Sequence, residues 1–306
     1  MPLFNEIDGF ERTYKGLKRT IDALPYQFKL LCVDDGSTDG TPELVGRISR
    51  RDRRLELVRL SRNFGHQAAL SAGLALSRGD VVITMDGDGQ HPPELIAEML
   101  QLIANGYDIV QGQRVDSSGT AALKQWTSRV FYRLMNLISG TRVLPGAADF
   151  RALSRQAVDA LNSMPEYHRF LRGMISWMGF RSTIVPYRET QRIAGTSKYS
   201  LRKMMKLALD AIFSFSLAPL YVGLSLGGVL LCLAALEMAY VLSFWVSGRT
   251  SGLAPGWSSL MFVILIVGAM LMLLLGFVGV YVGYIFQEVK HRPVFLTQKN
   301  ARREEK

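Results

Sequence analysis

The chain has 306 residues and a formal net charge of +10, with 36 Lys and Arg against 26 Asp and Glu. That length holds a catalytic-size domain plus an appendage, and the basic excess suits an anionic partner: nucleic acid, anionic lipid or a phosphorylated substrate. Two cysteines, Cys32 and Cys232, exclude a disulfide-dense scaffold and read as reduced, buried thiols rather than a disulfide or a metal pair.

Residues 1 to about 190 alternate apolar runs with amphipathic segments, the pattern of an α/β sheet. No secretory signal pattern opens the chain. The opening Met1-Pro2-Leu3-Phe4-Asn5-Glu6 leaves only a stub of a first strand. The expectation is that the natural start lies upstream, inside that strand; an immediate upstream in-frame stop codon would overturn it. Phe10, Tyr14, Leu17, Ile21 and Leu24 recur at steps of three and four and mark a helix face. A strand over 28–33 follows. Thr41-Pro42-Glu43 then starts a helix, with Thr as its cap and Pro at its first position. Next come a strand over 55–60, an Ala-rich helix over 65–76 and a strand over 81–85. Pro92-Pro93-Glu94 opens a helix that Asn105-Gly106 stops, and residues 108–111 resume the sheet.

Leu123, Trp126, Val130, Phe131, Leu134 and Leu137 recur at helical steps beside Lys124, Arg129 and Arg133. Met204, Leu207, Ala208 and Ile212 do the same after Arg202 and Lys203. Such basic-flanked amphipathic segments suit a membrane surface, with packing inside the domain as the alternative. From 218 to 246 only Glu237 is charged, and from 257 to 287 nothing is. Each stretch exceeds the ~20 residues a helix needs to cross a bilayer. The pattern predicts a transmembrane helical hairpin. Lys198, Arg202, Lys203 and Lys206 precede it and Lys290, His291 and Arg292 follow, against Arg249 alone in the linker. The positive-inside rule therefore puts the large domain in the cytoplasm. A charge such as Glu237 would cost about 2.5–3.5 kcal/mol at mid-bilayer, which favours a place near an interface or against a neighbouring helix.

Three predicted strand ends carry acids: Asn5-Glu6, Asp34-Asp35-Gly36-Ser37-Thr38-Asp39 and Asp86-Gly87-Asp88-Gly89-Gln90. Strand ends in open α/β sheets converge on a ligand crevice. Two like charges at Asp86 and Asp88 are costly without a cation to share. A hard divalent ion suits such oxygens and commonly brings substrate phosphates with it. Asp-Asp-Gly-Ser alone could be an Asx-turn; three acid-bearing strand ends in order are far more specific. No G-x-G-x-x-G follows a strand and no G-K-[ST] loop occurs, which argues against dinucleotide oxidoreductases and P-loop enzymes. The basic residues flank the apolar spans instead of forming a nucleic-acid face.

These motifs resemble the family-2 glycosyltransferases of GT-A fold. Ser61-Arg62-Asn63-Phe64-Gly65, Met85 through Glu94, Asp149-Phe150-Arg151 and Arg192-Ile193-Ala194-Gly195-Thr196-Ser197-Lys198-Tyr199 carry the likeness further. More narrowly, the chain is similar to the polyprenyl-phosphate glycosyltransferases, the relatives of bactoprenol glucosyltransferase and dolichyl-phosphate mannose synthase. The resemblance implies a GT-A Rossmann-like mixed sheet with interfacial amphipathic helices and a C-terminal two-helix transmembrane hairpin. It divides the chain into a cytoplasmic catalytic domain (1–190), a phosphate-binding loop with a juxtamembrane helix (191–216), two membrane helices (217–289) and a basic cytoplasmic tail (290–306). The implied activity is metal-dependent, inverting transfer of one hexose from a nucleotide sugar, UDP-glucose or a related UDP-sugar, to undecaprenyl or another polyprenyl phosphate. Mg²⁺ or Mn²⁺ would be the cofactor, and the protein would be a homotetramer in the bacterial inner membrane.

The resemblance also implies roles. Pro2, Phe4, Glu6, Asp34 and Asp35 would hold the nucleotide base and ribose. Asp86 and Asp88 would face the sugar nucleotide and its metal, with Gln90 adding a neutral oxygen. Phe4 stands where Tyr is common, and Gly87 and Gly89 stand where Leu or Ala often occurs; the glycines are expected to loosen the turn. Asp149, with Asp88 the catalytic pair, matches an acid read as base or acceptor-positioning group. Positioning, or a modest base role, is preferred, because a phosphomonoester with a second pKa of about 6 is already largely a dianion at neutral pH and needs no strong base. A loop cap is the alternative for Asp149. Arg114, Arg192, Ser197 and Lys198 would bind phosphate: Arg as a planar fork, Lys as a point charge. His66 reads as an ordinary polar residue beside the site. Two competing readings are a processive polysaccharide synthase and a non-catalytic membrane-tethered nucleotide-sugar binding protein. The first generally carries Q-x-x-R-W, and no Trp here follows Arg.

Overall fold

The computed structural model describes residues 1–115, 147–188, 218–248 and 256–298. They belong to two compact units: Met1–Leu207 with Arg292–Lys306, and Ala208–His291. The predicted segments over 123–137 and 204–212 lie outside the described residues, as does the Glu237 side chain.

The first unit begins β1 (Pro2–Leu3), α1 (Phe10–Asp22), β2 (Leu30–Asp34), α2 (Thr41–Ser49) and β3 (Leu55–Arg59). It continues α3 (His66–Leu76), β4 (Val81–Thr84), α4 (Leu95–Ala104) and β5 (Ile109–Arg114). It then runs β6 (Ala147–Ser154), α5 (Arg155–Ser163), α6 (Leu171–Trp177) and β7 (Ser182–Tyr187). One sheet has the order β1-β2-β3, all parallel. The other has the order β4-β6-β5-β7. There β6 runs antiparallel to both neighbours, and β5 pairs with β7 in parallel.

The ends of the two sheets meet at Gly87. A Cβ there would collide with the Leu3 side chain and lie 3.2 Å from the Pro2 carbonyl oxygen. Glycine at this position is therefore a packing requirement of β1, a different reason from the loosened turn expected of it.

The helix face expected on α1 is the buried one: Phe10, Tyr14, Leu17 and Ile21 all lie in the core. The Tyr14 hydroxyl donates to Asp52 Oδ2 at 2.8 Å. Burial, then that hydrogen bond, pushes the phenol up to about 12. The start of α2 differs from expectation. Gly40, left-handed at φ 83°, is the N-cap and Pro42 falls in the first turn. Thr41 instead donates through its N–H and hydroxyl to Asp39 Oδ1, at 3.0 and 2.6 Å, and accepts the Glu6 N–H at 2.9 Å. It ties two loops together instead of capping a helix. Both cysteines are free. Cys32 is buried in β2, whereas Cys232 is exposed, which corrects the expectation that both are buried.

The second unit contains α7 (Ala218–Val246) and α8 (Trp257–Val289). They touch where Gly223 abuts Leu274, a place a Cβ would fill. Small residues let apolar helices approach in this way. Among the described residues one stretch, Ile266–Val289, is long and apolar enough to cross a membrane, with a mean hydropathy of 2.3. Two long helices stand where a transmembrane hairpin was expected, but among the described residues a single span-length apolar stretch is found, in α8.

Residues beyond α8 return to the first unit. Thr297 bridges Leu60 in antiparallel register. The Ser61 N–H donates to the Leu296 carbonyl and the Gln298 N–H to the Arg59 carbonyl, both at 2.8 Å. Phe295 packs on Val33, Leu60, Ala69 and Ala72. This part of the supposed basic tail closes the outer edge of β3, an edge that would otherwise offer unpaired backbone groups. Replacing Phe295 by Ala is expected to cost roughly 2–3 kcal/mol, below the ~3–5 kcal/mol of a fully buried aromatic because Phe295 is only partly buried. Denaturant unfolding of the full chain checks it.

Candidate active site

Tight loops follow β1 and β2 and are sewn to each other. Asn5, at φ 54°, donates its N–H to Ser37 Oγ at 2.9 Å and accepts the Thr38 N–H at 2.9 Å through Oδ1. The Ile7 N–H donates to Asp39 Oδ2 at 3.1 Å. Asp34 is fully buried. Its Oδ1 accepts the Ser37 N–H at 3.2 Å and its Oδ2 faces Arg59 Nε at 3.7 Å. Asp35 is 3% exposed and accepts the Phe64 N–H at 2.7 Å and the Gly65 N–H at 2.9 Å, one on each oxygen. Burial pushes its carboxyl up, against those two hydrogen bonds. Gly36, at φ 74°, lets the 62–63 backbone pass: a Cβ would sit 2.7 Å from the Asn63 nitrogen. Asp34 and Asp35, expected to hold base and ribose, thus spend oxygens on the backbone of their own and a neighbouring loop. Pro2 is buried, and Phe4 and Glu6 are half-buried.

After β4 the acids differ in setting. Asp88 Oδ1 accepts the Gln90 N–H at 3.1 Å, with Gly89 left-handed at φ 78° between them. The Asp86 N–H donates to His91 Nδ1 at 3.0 Å, which places the ring proton on Nε2, 3.8 Å from Asp86 Oδ2. His91 is held by stacking on Phe150 at 5.0 Å and by the edge of Tyr187 at 5.8 Å. Asp86 Oδ1 is buried without a hydrogen-bond partner. Such an oxygen suits a divalent cation, and Asp88 and Gln90 stand on the same turn. Among the described residues no three His, Cys, Asp or Glu side chains converge as a preformed cage.

Asp149 lies within β6, not in a loop, and is 4% exposed. Its Oδ1 accepts from Arg151 at 2.6 Å and from Arg172 Nε at 3.3 Å. Its Oδ2 receives Arg172 Nη2 at 3.1 Å and Gln67 at 3.5 Å, and lies 3.2 Å from His66 Nε2. Burial opposes ionisation, yet Arg172, His66 and Arg151 hold this carboxyl well below the usual range. His66 also lies 3.6 Å from Asp86 Oδ1 and so stands between the two acids. Burial opposes its protonation, but the Asp149 hydrogen bond and the charges of both acids raise it above its ordinary value. Arg114 ends β5 and is exposed, while Arg192, Ser197 and Lys198 lie outside the described residues.

Sequence reasoning gave no role to Arg151, Arg172 or His91, and undervalued His66. Arg151 had a signal: residues two apart on a strand share a face. Arg172 had none, since its helix is 23 residues from Asp149.

The mixed sheet with acid-bearing strand ends is the GT-A-like α/β fold. A crystal structure of mannosyl-3-phosphoglycerate synthase from Rubrobacter xylanophilus shares it, with a TM-score of 0.50 at 18% identity over 69% of each chain. The chain belongs to glycosyl transferase family 2, whose sequence model matches residues 1–161. An uncharacterized glycosyltransferase of Synechocystis is 37% identical over 97% of this chain and 92% of its own length. The bactoprenol glucosyl transferase of Shigella phage SfII is 34% identical over 99% of this chain and 97% of its own.

Removing Asp149 leaves Arg151 buried beside an empty place, so Asp149→Ala is expected to cost about 3–5 kcal/mol in denaturant unfolding. The Asp149 contribution is present above the ordinary carboxyl value and is lost as pH falls through its depressed one. His66 has the opposite sign. Its contribution is complete below about pH 6.5 and disappears as pH rises through the raised value. The Tm gap between wild type and His66→Gln should therefore shrink from about pH 5.5 to 8.5.

Proposed function

We propose that this chain is an inverting, metal-dependent hexosyltransferase that moves one sugar from a nucleotide sugar, UDP-glucose or a related UDP-sugar, to polyprenyl phosphate. The observation that carries the reading is the placement of Asp86 and Asp149 on either side of His66. A carboxylate suited to a cation and diphosphate stands next to a cluster rich in guanidinium. The named relatives that match along nearly the whole chain support the polyprenyl acceptor.

Pro2, Phe4, Glu6, Asp34 and Asp35 form the base and ribose wall. Asp86 and Asp88, with Gln90, would hold Mg²⁺ or Mn²⁺. That ion supplies positive charge to the departing nucleoside diphosphate. Asp149 is acceptor-saturated and strongly acidic, so it is a poor base; a largely dianionic phosphomonoester needs none. Asp149 instead orients the cations around it. Direct attack of the lipid phosphate in one in-line displacement inverts the anomeric carbon. Arg114, Arg192, Ser197 and Lys198 would meet phosphate. The apolar length of α8 and the sequence of α7 support two spans, and the basic flanks support a first unit in the cytoplasm of a bacterium; a tetramer is proposed from the family likeness alone.

The test is a panel of nucleotide sugars given to membranes with undecaprenyl phosphate, with product read by mass spectrometry. A lipid-linked hexose that EDTA abolishes is expected. Asp86→Asn should weaken apparent metal affinity by more than the ~10–100-fold lost when a group that hydrogen-bonds a metal ligand is removed. Nucleoside diphosphate release without any lipid-linked sugar, across all donors, would overturn the reading.

A further inference from the structure

We propose that residues 295–298 position the base and ribose wall: by holding the 61–65 loop they keep Asp35 in place, with Phe295 as the positioning residue. That the ligand is a nucleotide rests on the transferase reading above.

The 61–65 loop links the closing segment to the wall. It leaves the end of β3, where the Leu60 N–H donates to the Asp34 carbonyl at 2.9 Å. At its far end the Phe64 and Gly65 N–H groups donate to the two Asp35 oxygens, at 2.7 and 2.9 Å. The Gly65 carbonyl then accepts the Ala68 and Ala69 N–H groups, at 3.0 and 3.1 Å, and so opens α3. Whatever fixes this loop therefore fixes one carboxylate of the wall and the start of the helix that carries His66. Ser61, Arg62 and Asn63 are exposed and contribute no burial of their own. Loops with little burial open locally at small cost unless something else holds them.

The closing segment supplies that hold in two ways. Along the backbone, the Ser61 N–H donates to the Leu296 carbonyl and the Gln298 N–H to the Arg59 carbonyl, which brackets Leu60 and the first residue of the loop. Through side chains, Phe295 and Phe64 pack on one cluster made of Val33, Leu60, Ala69 and Ala72. Phe295 turns inward whereas Leu296 beside it is 52% exposed, the alternation of an extended strand. The cluster joins β2 just before Asp34 and Asp35, the end of β3, and α3 just after His66 and Gln67. Removing the Phe295 ring uncovers the apolar patch on which Phe64 also rests, and the Phe64 N–H is the shorter of the two bonds to Asp35. If the wall is then ordered in only a fraction of molecules, apparent nucleotide affinity falls by that fraction.

The experiment uses the full chain in detergent as wild type, Phe295→Ala, Phe295→Leu and Gln298→Pro, with Tm measured for each. Leu102→Ala, a partly buried residue of α4, is the control for stability lost elsewhere. UDP and GDP with Mg²⁺ are titrated calorimetrically, and KM is measured for the donor and for a short-chain polyprenyl phosphate. Amide hydrogen exchange of the 60–66 peptide is followed by mass spectrometry. Phe295→Ala is expected to raise the nucleoside diphosphate Kd and the donor KM at least about fivefold, with the acceptor KM and the Leu102→Ala values within about twofold of wild type. Phe295→Leu should recover most of the loss, and exchange in the 60–66 peptide should be faster in Phe295→Ala than in Leu102→Ala. Should Phe295→Ala not fold, Gln298→Pro, which removes one backbone donor and little apolar surface, is read in its place. A Kd within about twofold of wild type overturns the proposal, as does an equal rise in Leu102→Ala. If wild type binds neither UDP nor GDP, the transferase reading fails separately. The exchange comparison then still decides: faster exchange in Phe295→Ala alone keeps the closing segment as the support of the Asp35 loop, and unchanged exchange ends that role.

Discussion

One buried carboxylate organises the centre of this molecule. Asp149 sits in the middle of the four-stranded sheet, with its backbone carbonyl accepting the Thr84 hydroxyl at 2.8 Å across the β4 pairing. A lone charge at such depth would be prohibitive; shared by two guanidiniums and an imidazole, it becomes a fixed hub. α3 delivers His66 and Gln67 to it, β6 delivers Arg151 and α6 delivers Arg172. Elements far apart in sequence are thereby held to a common centre. Gln111 reinforces the same strand by donating to the Ala148 carbonyl at 2.7 Å, where β5 and β6 lose regular register.

The remaining acids divide by what they grip. Asp35 and Asp39 give both oxygens to backbone N–H groups, and Asp34 gives one, which makes the loops after β1 and β2 a network of tight turns. Two of these oxygens are buried without a hydrogen bond: Asp34 Oδ2, which faces Arg59 Nε at 3.7 Å, and Asp86 Oδ1, which lies 3.6 Å from His66 Nε2. A bare oxygen suits the cation proposed at Asp86, whereas the fully bonded Asp35 and Asp39 hold their loops still.

Much of this was legible in the chain itself. The periodicity of Phe10, Tyr14, Leu17 and Ile21 marked the buried helix face, and apolar runs ending in acids marked three strand ends. Other features were hidden for physical reasons. Thr41 has the composition of a helix cap, but the left-handed Gly40 takes that position and frees its hydroxyl for Asp39. The value of Gly87 lies in contact with β1, which no local pattern encodes. Arg172 and His66 acquire meaning only where separate helices meet one carboxylate. The closing segment around Phe295 looked like a tail because its few uncharged residues lie between Arg292 and Lys299.

That closing segment has a consequence for how the protein comes into being. Ribosomes deliver chains from the N-terminus, and domains generally fold as they emerge. Here β3 is finished near residue 60, yet the residues that cover its edge are made after both long helices. The first unit therefore waits, with one flank open, while the apolar helices are synthesised. Its last contacts form only after residues 296–298 have been made, so a molecule with a sealed first sheet is also one whose two long helices have already been synthesised.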